Sequence, residues 1–332
     1  MKRTAALCAL ALGLAACGDG NPFTEGDEVV TTPPATTTPP ADTEVPAVIL
    51  NDLDRISFNA DTNTLTVSGL TQDGVPLVNE YTAVATTFAP GYVTFTGQND
   101  PLGRHATAFV ASRDGVQAGV VMTGGQFNKF FGGSFFERTS GGYTAPITPE
   151  SRFDVTYVGN YAAGLNFPGQ QTDLLPITGP LDPDINRPNQ TAYIRGLMFI
   201  NVDLNDMSVE GEIYDRTAVF ADNTDPTVAV FGDLPDLVLV EGELTGDGTF
   251  SGNIEVDATD ITNPGTPSDP VGNKVGDFAG VIGGPGGNAV AGGTFVEDFT
   301  EELDNEIEYG VFVLDLCDDT STDPVCVNAL QP

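Results

Sequence analysis

From Arg152 onward the chain runs in short stretches where apolar and polar positions alternate, separated by Gly, Pro, Asn and Asp. In TFSGNIEV, Phe250, Ile254 and Val256 point one way, while Thr249, Ser251, Asn253 and Glu255 point the other. In YIRGLMFINVDL, Ile194, Met198, Ile200, Val202 and Leu204 share one face, and Tyr193, Arg195, Leu197, Phe199, Asn201 and Asp203 share the other. A period of two is the signature of a half-buried strand. Eight such candidates follow one another: RFDVTYVGNYAAGLNF, TAYIRGLMFINV, MSVEGEIYDRTAVF, LVLVEGELT, GTFSGNIEV, GDFAGVIG, AVAGGTFVEDF and IEYGVFVLDL. The turns LND, GDG and GGPGGN join several neighbours tightly, which predicts antiparallel hairpins. Closing eight such strands into a barrel buries one face and removes the open edges. Gly196, Gly211, Gly242, Gly252 and Gly280 lie inside the strands, where they would allow the bends that closure requires.

The region 46–150 is less regular. RISFNA, TLTVSG, TAVATTF, YVTFTG, TAFVAS and AGVVMTGG are strand candidates, and the Phe/Gly-rich FNKFFGGSFFERTSGGY follows them. This predicts a smaller β-rich part packed before a barrel spanning 151–332, with a proline-marked boundary in APITPE. The fold class expected is all-β, since no part of the mature chain carries a sustained helical stripe. Phe127, Phe130, Phe131, Phe135 and Phe136 read as core, because interleaved glycines suit close sheet packing; an exposed ligand patch is the alternative.

The chain opens differently. Lys2 and Arg3 precede an apolar run, Thr4 to Ala16, too short to span a bilayer and suited to a secretory leader over 1–16. It ends in Leu14-Ala15-Ala16-Cys17, which resembles the lipobox of bacterial lipoproteins. That resemblance implies cleavage before Cys17, lipidation of Cys17 and attachment to the membrane, the acyl chains adding about 0.8 kcal/mol per buried methylene. Gly18 in place of Asp after the cysteine favours the outer membrane. The Thr/Pro-rich segment that follows, to residue 45, has too few bulky apolar residues to fold and reads as a disordered tether. It would reach roughly 30 Å if flexible and about 85 Å if polyproline-like.

Cys317 and Cys326 remain near the C-terminus, an even pair that export to an oxidising compartment would join as a disulfide. The intervening DDTSTDPV holds no histidine, so two thiols alone do not make a metal site. The formal charge is −35, and losing Lys2 and Arg3 with the leader makes it more negative. Such a chain repels nucleic acid and anionic headgroups. The acids are scattered through turns, and none forms a twelve-residue calcium loop, so no metal and no cofactor is expected.

The residues from Gly276 to Phe295 decide between a phosphate loop and a hairpin. A phosphate loop leads from a strand into a helix N-terminus; here GGPGGN leads into AVAGGTFVEDF, which is strand-like, and no Lys-Ser/Thr pair follows the glycines. The series Gly276-Asp277-Phe278, Gly284-Pro285, Asn288-Ala289 and Gly292-Gly293-Thr294-Phe295 resembles the barrel hairpin of the transferrin-binding protein B family and related factor H binding surface lipoproteins. YVGNYAAGLNF is similar to the start of that barrel. The family's aromatic pair before Gly-Pro is replaced by Ile282-Gly283, and Gly286-Gly287 is inserted before Asn288. The resemblance implies a handle-like domain, an eight-stranded barrel, display outside the cell of a Gram-negative bacterium and delivery by a surface-lipoprotein translocon. Ligand contacts would lie in loops, and no loop here matches a transferrin-binding surface, so the protein or solute ligand stays open.

Catalytic chemistry is thin. His105 is the only histidine, a weak basis for a Ser-His-Asp triad. Glu241 and Glu243 share a strand face, as do Glu210 and Glu212; they could flank a sugar as a glycosidase's carboxylates do, but on a barrel wall they are expected to face solvent. The expectation is a non-enzymatic surface binding protein, with a structural envelope lipoprotein or a carboxylate-dependent hydrolase as the other readings.

Overall fold

The computed structural model describes residues 44–70, 78–84, 88–127, 129–146, 154–178, 187–257, 272–300 and 303–330. The leader, Cys17 and the tether up to residue 43 lie outside the described residues.

The alternating C-terminal half forms strands β8 (Asp154–Pro168), β9 (Thr191–Asp203), β10 (Ser208–Ala221), β11 (Ala229–Asp233), β12 (Leu237–Leu244), β13 (Thr249–Val256), β14 (Lys274–Gly283), β15 (Ala289–Glu297) and β16 (Ile307–Leu316). Eight of them pair antiparallel in chain order, and β16 closes onto β8, so the sheet is a complete up-and-down barrel. All eight strands expected from alternation are present. The ninth, β11, was not expected: β10 outruns β12, and β11 pairs with its far half.

The interior is packed solid with Tyr157, Ile194, Met198, Ile200, Leu239, Phe250, Phe278 and Phe312 among others. Inward glycines leave room for these rings. Phe278 lies against both Gly242 and Gly252, and a Cβ on Gly292 would sit 2.1 Å from the Phe312 ring. The strand glycines therefore admit aromatic side chains as much as they bend the strands.

Two bulges keep the inward phase. Glu241 (φ 53°) is the extra residue in β12, so Val240 and Glu241 both face out while Leu237, Leu239, Gly242 and Leu244 all face in. Asp215 (φ 51°) does the same in β10 and turns Arg216 inward.

The first half forms α1 (Ala47–Leu50) and a seven-stranded antiparallel meander: β1 (Leu53–Asn59), β2 (Thr64–Gly69), β3 (Val78–Ala83), β4 (Val93–Gly97), β5 (Ala106–Arg113), β6 (Val116–Thr123) and β7 (Gly132–Arg138). Six strands were expected. β3 starts before TAVATTF and takes in its Thr82 and Ala83, while 85–87 lie outside the described residues; β7 arises within the Phe/Gly-rich stretch, and the residues of β7 itself are buried on both faces and show no alternation. The meander rolls until β1 lies beside β7, where Arg55 Nη2 meets Glu137 Oε2 at 2.8 Å and Gly132 N donates to Asp52 Oδ2 at 3.1 Å. Val45 is buried in its core.

One compact unit, Pro39–Pro332, contains both sheets. The outer face of β5–β7 covers the barrel wall at β14–β16 and β8 through Val120, Met122, Phe109, Ala162, Ala279, Val281, Ala291 and Val311. Tyr92 reaches across, donating to Asn160 O at 2.8 Å and accepting from Val313 N at 3.2 Å. Strands buried on both sides read as continuous apolar runs, as VIGGPGGNAVAGG does. The opposite wall, β10–β12–β13 with the near half of β9, faces solvent and alternates on either side of its bulges, while Tyr193 of β9 packs against Phe88 and Phe109.

Candidate binding face

The barrel's two ends are built from different connections. At one, here the near end, Leu204–Met207, Thr245–Gly248 and Gly284–Asn288 close three hairpins tightly. Asp247 Oδ1 accepts from the Thr249 hydroxyl and N–H, and with Thr245 this pulls its carboxyl down to about 2. The family-like residues gather here or run from it. Gly284 (φ 80°) and Pro285 start the turn, Asn288 ends it, Gly276 and Phe278 lie on β14, and Gly292, Gly293 and Phe295 lie on β15.

This hairpin docks on the first sheet. Arg138, almost wholly buried, donates from Nε to Ile282 O at 2.8 Å and from Nη2 to Asp247 O at 2.7 Å. Asn288 Nδ2 donates to Asp114 Oδ2 at 3.2 Å, and Gly293 lies against Ser134 and Ile49. Cys317, just past β16, is bonded to Cys326 in the short helix α2 (Pro324–Ala329), with Cα atoms 5.2 Å apart. The Gly284–Asn288 hairpin, the Asp247 turn and the end of β16 are thus tied to the rest of the protein.

The far end carries the long connections, 169–190, 222–228, 257–273 and 298–306. Inside the barrel it is floored by a buried polar cluster. Arg216 Nη2 and Glu308 Oε2 pair at 2.5 Å, both side chains fully inaccessible. Tyr161 donates to Glu308 Oε1 at 2.6 Å and lies 2.7 Å from Thr294 Oγ1. Burial, with the Glu308 charge, pushes the Tyr161 hydroxyl well above its usual range. Phe299 covers the cluster, the Arg216 guanidinium lying 4.9 Å from its ring centre.

Outside, far-end loops from both sheets are stitched into one surface. Leu175 N donates to Gln98 Oε1 at 2.6 Å, Asn189 N to Gly125 O at 3.0 Å, and Gln171 N to Pro226 O at 2.8 Å. Asp222 and Asp225 spend their carboxylates on Thr224 and Thr227, which stiffens the 222–228 turn and lowers both acids. On this surface stand Leu102, Phe127, Leu175, Val228, Val230 and Phe231, six of the nine large apolar side chains exposed among the described residues. Phe127 and Phe231 are each 61 % exposed. A cleft of about 440 Å³ opens beside Phe127, lined also by Leu70, Tyr81, Asn99, Arg104 and Gln126.

The aromatic cluster expected as core therefore divides. Phe135 and Phe136 are buried and Phe130 and Phe131 half-buried, but Phe127, at φ 55°, turns out into solvent. The left-handed backbone at Phe127 reverses the chain between Gln126 and Lys129, and no residue-type pattern announces that reversal.

His105 lies in the seam between the two sheets, 1 % exposed, and neither ring nitrogen has a hydrogen-bond partner. Burial lowers it to about 4 against the opposing charge of Asp173. A ring enclosed in this way cannot reach a substrate. Glu210, Glu212, Glu241 and Glu243 lie on the open wall, where Glu210, Glu212 and Glu241 line a shallow groove of about 450 Å³. Asn253 Nδ2 donates to Glu241 Oε2 at 2.7 Å. Among the described residues no cluster of three His, Cys, Asp or Glu is placed to hold a metal.

No family model matches the chain, and no curated protein matches it. Among the solved structures similar to it are three of transferrin binding protein B. A double mutant from Haemophilus parasuis Hp5 has 9 % identity over 79 % of this chain and 52 % of its own, with TM-score 0.37. Intact Ap-TbpB, with N and C lobes, has 11 % identity over 76 % and 52 %, with TM-score 0.36. A single mutant from Haemophilus parasuis Hp5 has 14 % identity over 75 % and 42 %, with TM-score 0.37. The chain spans about half the length of these proteins or less. The barrel stands on its own strand ladders.

Proposed function

We propose that this chain is a lipid-anchored binding protein of the Gram-negative outer membrane, turned to the cell surface, that engages a protein or solute partner through its far end. The gathering of exposed apolar side chains on the long-loop end supports the reading, because large apolar side chains concentrated on one surface mark interaction sites. The filled barrel interior directs any ligand to the outside. The leader and Cys17 support the anchor, the following tether would hold the folded part off the membrane, and a surface-lipoprotein translocon would deliver it. The parts 46–150 and 151–332 act as a handle-like support and a barrel within one unit. The reading is of binding, not turnover.

The test uses intact cells. Added protease is expected to release the chain without lysis, and a Cys17→Ser variant is expected to lose palmitate labelling and membrane attachment. Cleavage only after the outer membrane is opened overturns surface display. At equal surface levels, a Phe127→Ser/Leu175→Ser variant is expected to lose cross-linking to the partner that the natural chain captures; undiminished capture overturns the far-end site.

A further inference from the structure

Strand β11 is the edge of the β10–β11 ribbon at the far end. Asp222 N donates to Val228 O at 2.9 Å and Leu234 N to Arg216 O at 3.0 Å, which sets the phase of the ladder between them. In an antiparallel pair bonded and non-bonded residues alternate. Val228, Val230, Gly232 and Leu234 therefore aim their main-chain groups at β10, while Ala229, Phe231 and Asp233 aim theirs away from it. Among the described residues no strand lies on that outer side.

Soluble proteins shield such edges with Lys, Pro or a bulge. AVFGD has none of these; Pro226 and Pro235 stand outside the strand, and its register with β10 is unbroken. Its side chains are exposed on both faces, Val230 at 41 % and Phe231 at 61 %. Asp222, Asp225 and Asp233 surround it. The chain's net charge of −35 opposes pairing with a second copy and favours a cationic occupant.

We propose that the outer edge of β11 receives an extended strand of the partner protein, alternating apolar residues with Lys or Arg. This rests on the far end being the binding face and states how it binds: main-chain hydrogen bonds to Ala229, Phe231 and Asp233 supply the pairing, and the acids select the partner.

The probe is a short blocked peptide of alternating lysine and valine, added to the folded chain while amide hydrogen exchange is followed residue by residue. Exchange at Ala229, Phe231 and Asp233 is expected to slow at least about tenfold, and binding to weaken as salt rises. Phe231→Pro removes one outward N–H and leaves the β10 ladder intact; it is expected to weaken binding about tenfold or more. Phe231→Ser is expected to keep the protection pattern. The same peptide N-methylated at every residue has no main-chain N–H left to donate on either edge and is expected not to bind the unaltered protein. Equal binding of the methylated peptide, or no binding of the parent peptide, overturns the proposal. Protection at Phe127 and Leu175 with β11 unchanged overturns strand pairing but leaves the far-end site standing. A dimer of the free chain that protects the same three amides assigns the edge to a second copy and overturns the cationic partner.

Discussion

The two ends of the barrel share the same eight strands yet differ in what their connections do. The near end has tight turns whose polar groups are satisfied locally, and Arg138, Asn288 and the Cys317–Cys326 bridge tie it down. The far end has long loops and surface apolar groups above a buried ionic floor. Stability and exposure are thus separated along one axis: residues that hold the shape lie at the near end and beneath the far end, and residues free to meet another molecule lie on the far surface. A closed barrel permits this, because its rigidity comes from the ladder and not from its loops.

Changes at three places test that separation. Arg216→Ala leaves Glu308 buried without its partner and is expected to cost about 3–5 kcal/mol in urea unfolding. Replacing both by apolar residues of similar volume is expected to recover most of that loss, and failure to recover would mean that the floor does more than balance a charge. At the near end, Cys317→Ser/Cys326→Ser is expected to cost about 2–3 kcal/mol. Peptide-induced protection at β11 should survive that change, and its loss would couple the two ends.

The seam gives the third effect, which is confined to acid pH. His105 is depressed from 6.5 to about 4, so the unfolded chain takes up its proton first as pH falls. Its contribution is full above about pH 6.5 and is lost progressively toward about pH 4, on the order of 3 kcal/mol in all. Burial also raises the carboxyls of Asp52, Glu137 and Glu306, so acid unfolding does not report His105 alone. The measurement is therefore the difference between the natural chain and His105→Gln across that window. A difference that stays constant with pH would place the ring in a more polar setting than the seam provides.

Much of this architecture is legible along the chain. The eight barrel strands can be read because alternation and tight turns are local signals, and so can the hairpin at GGPGGN. Alternation fails at β7, where both faces are covered, and at β11, which is short and ends in Gly-Asp. The bulges at Asp215 and Glu241 are invisible to it, since each adds a residue without a distinctive type, yet one of them decides that Arg216 points inward. In the same way Phe127 and Phe136 look alike in sequence and end on opposite sides of the surface.

The sequence alone determined that the chain is all-β, that eight strands follow one another as hairpins, and that two cysteines stand ready to pair. Tertiary structure alone decided which wall the first sheet covers, which end the Arg138 contacts and the disulfide tie down, that Arg216 and Glu308 meet across distant strands, and that no described strand pairs with the outer side of β11. The reason is physical. A strand's period reports how many of its faces are buried, whereas what buries them depends on segments far away in the chain, brought together only when the barrel closes.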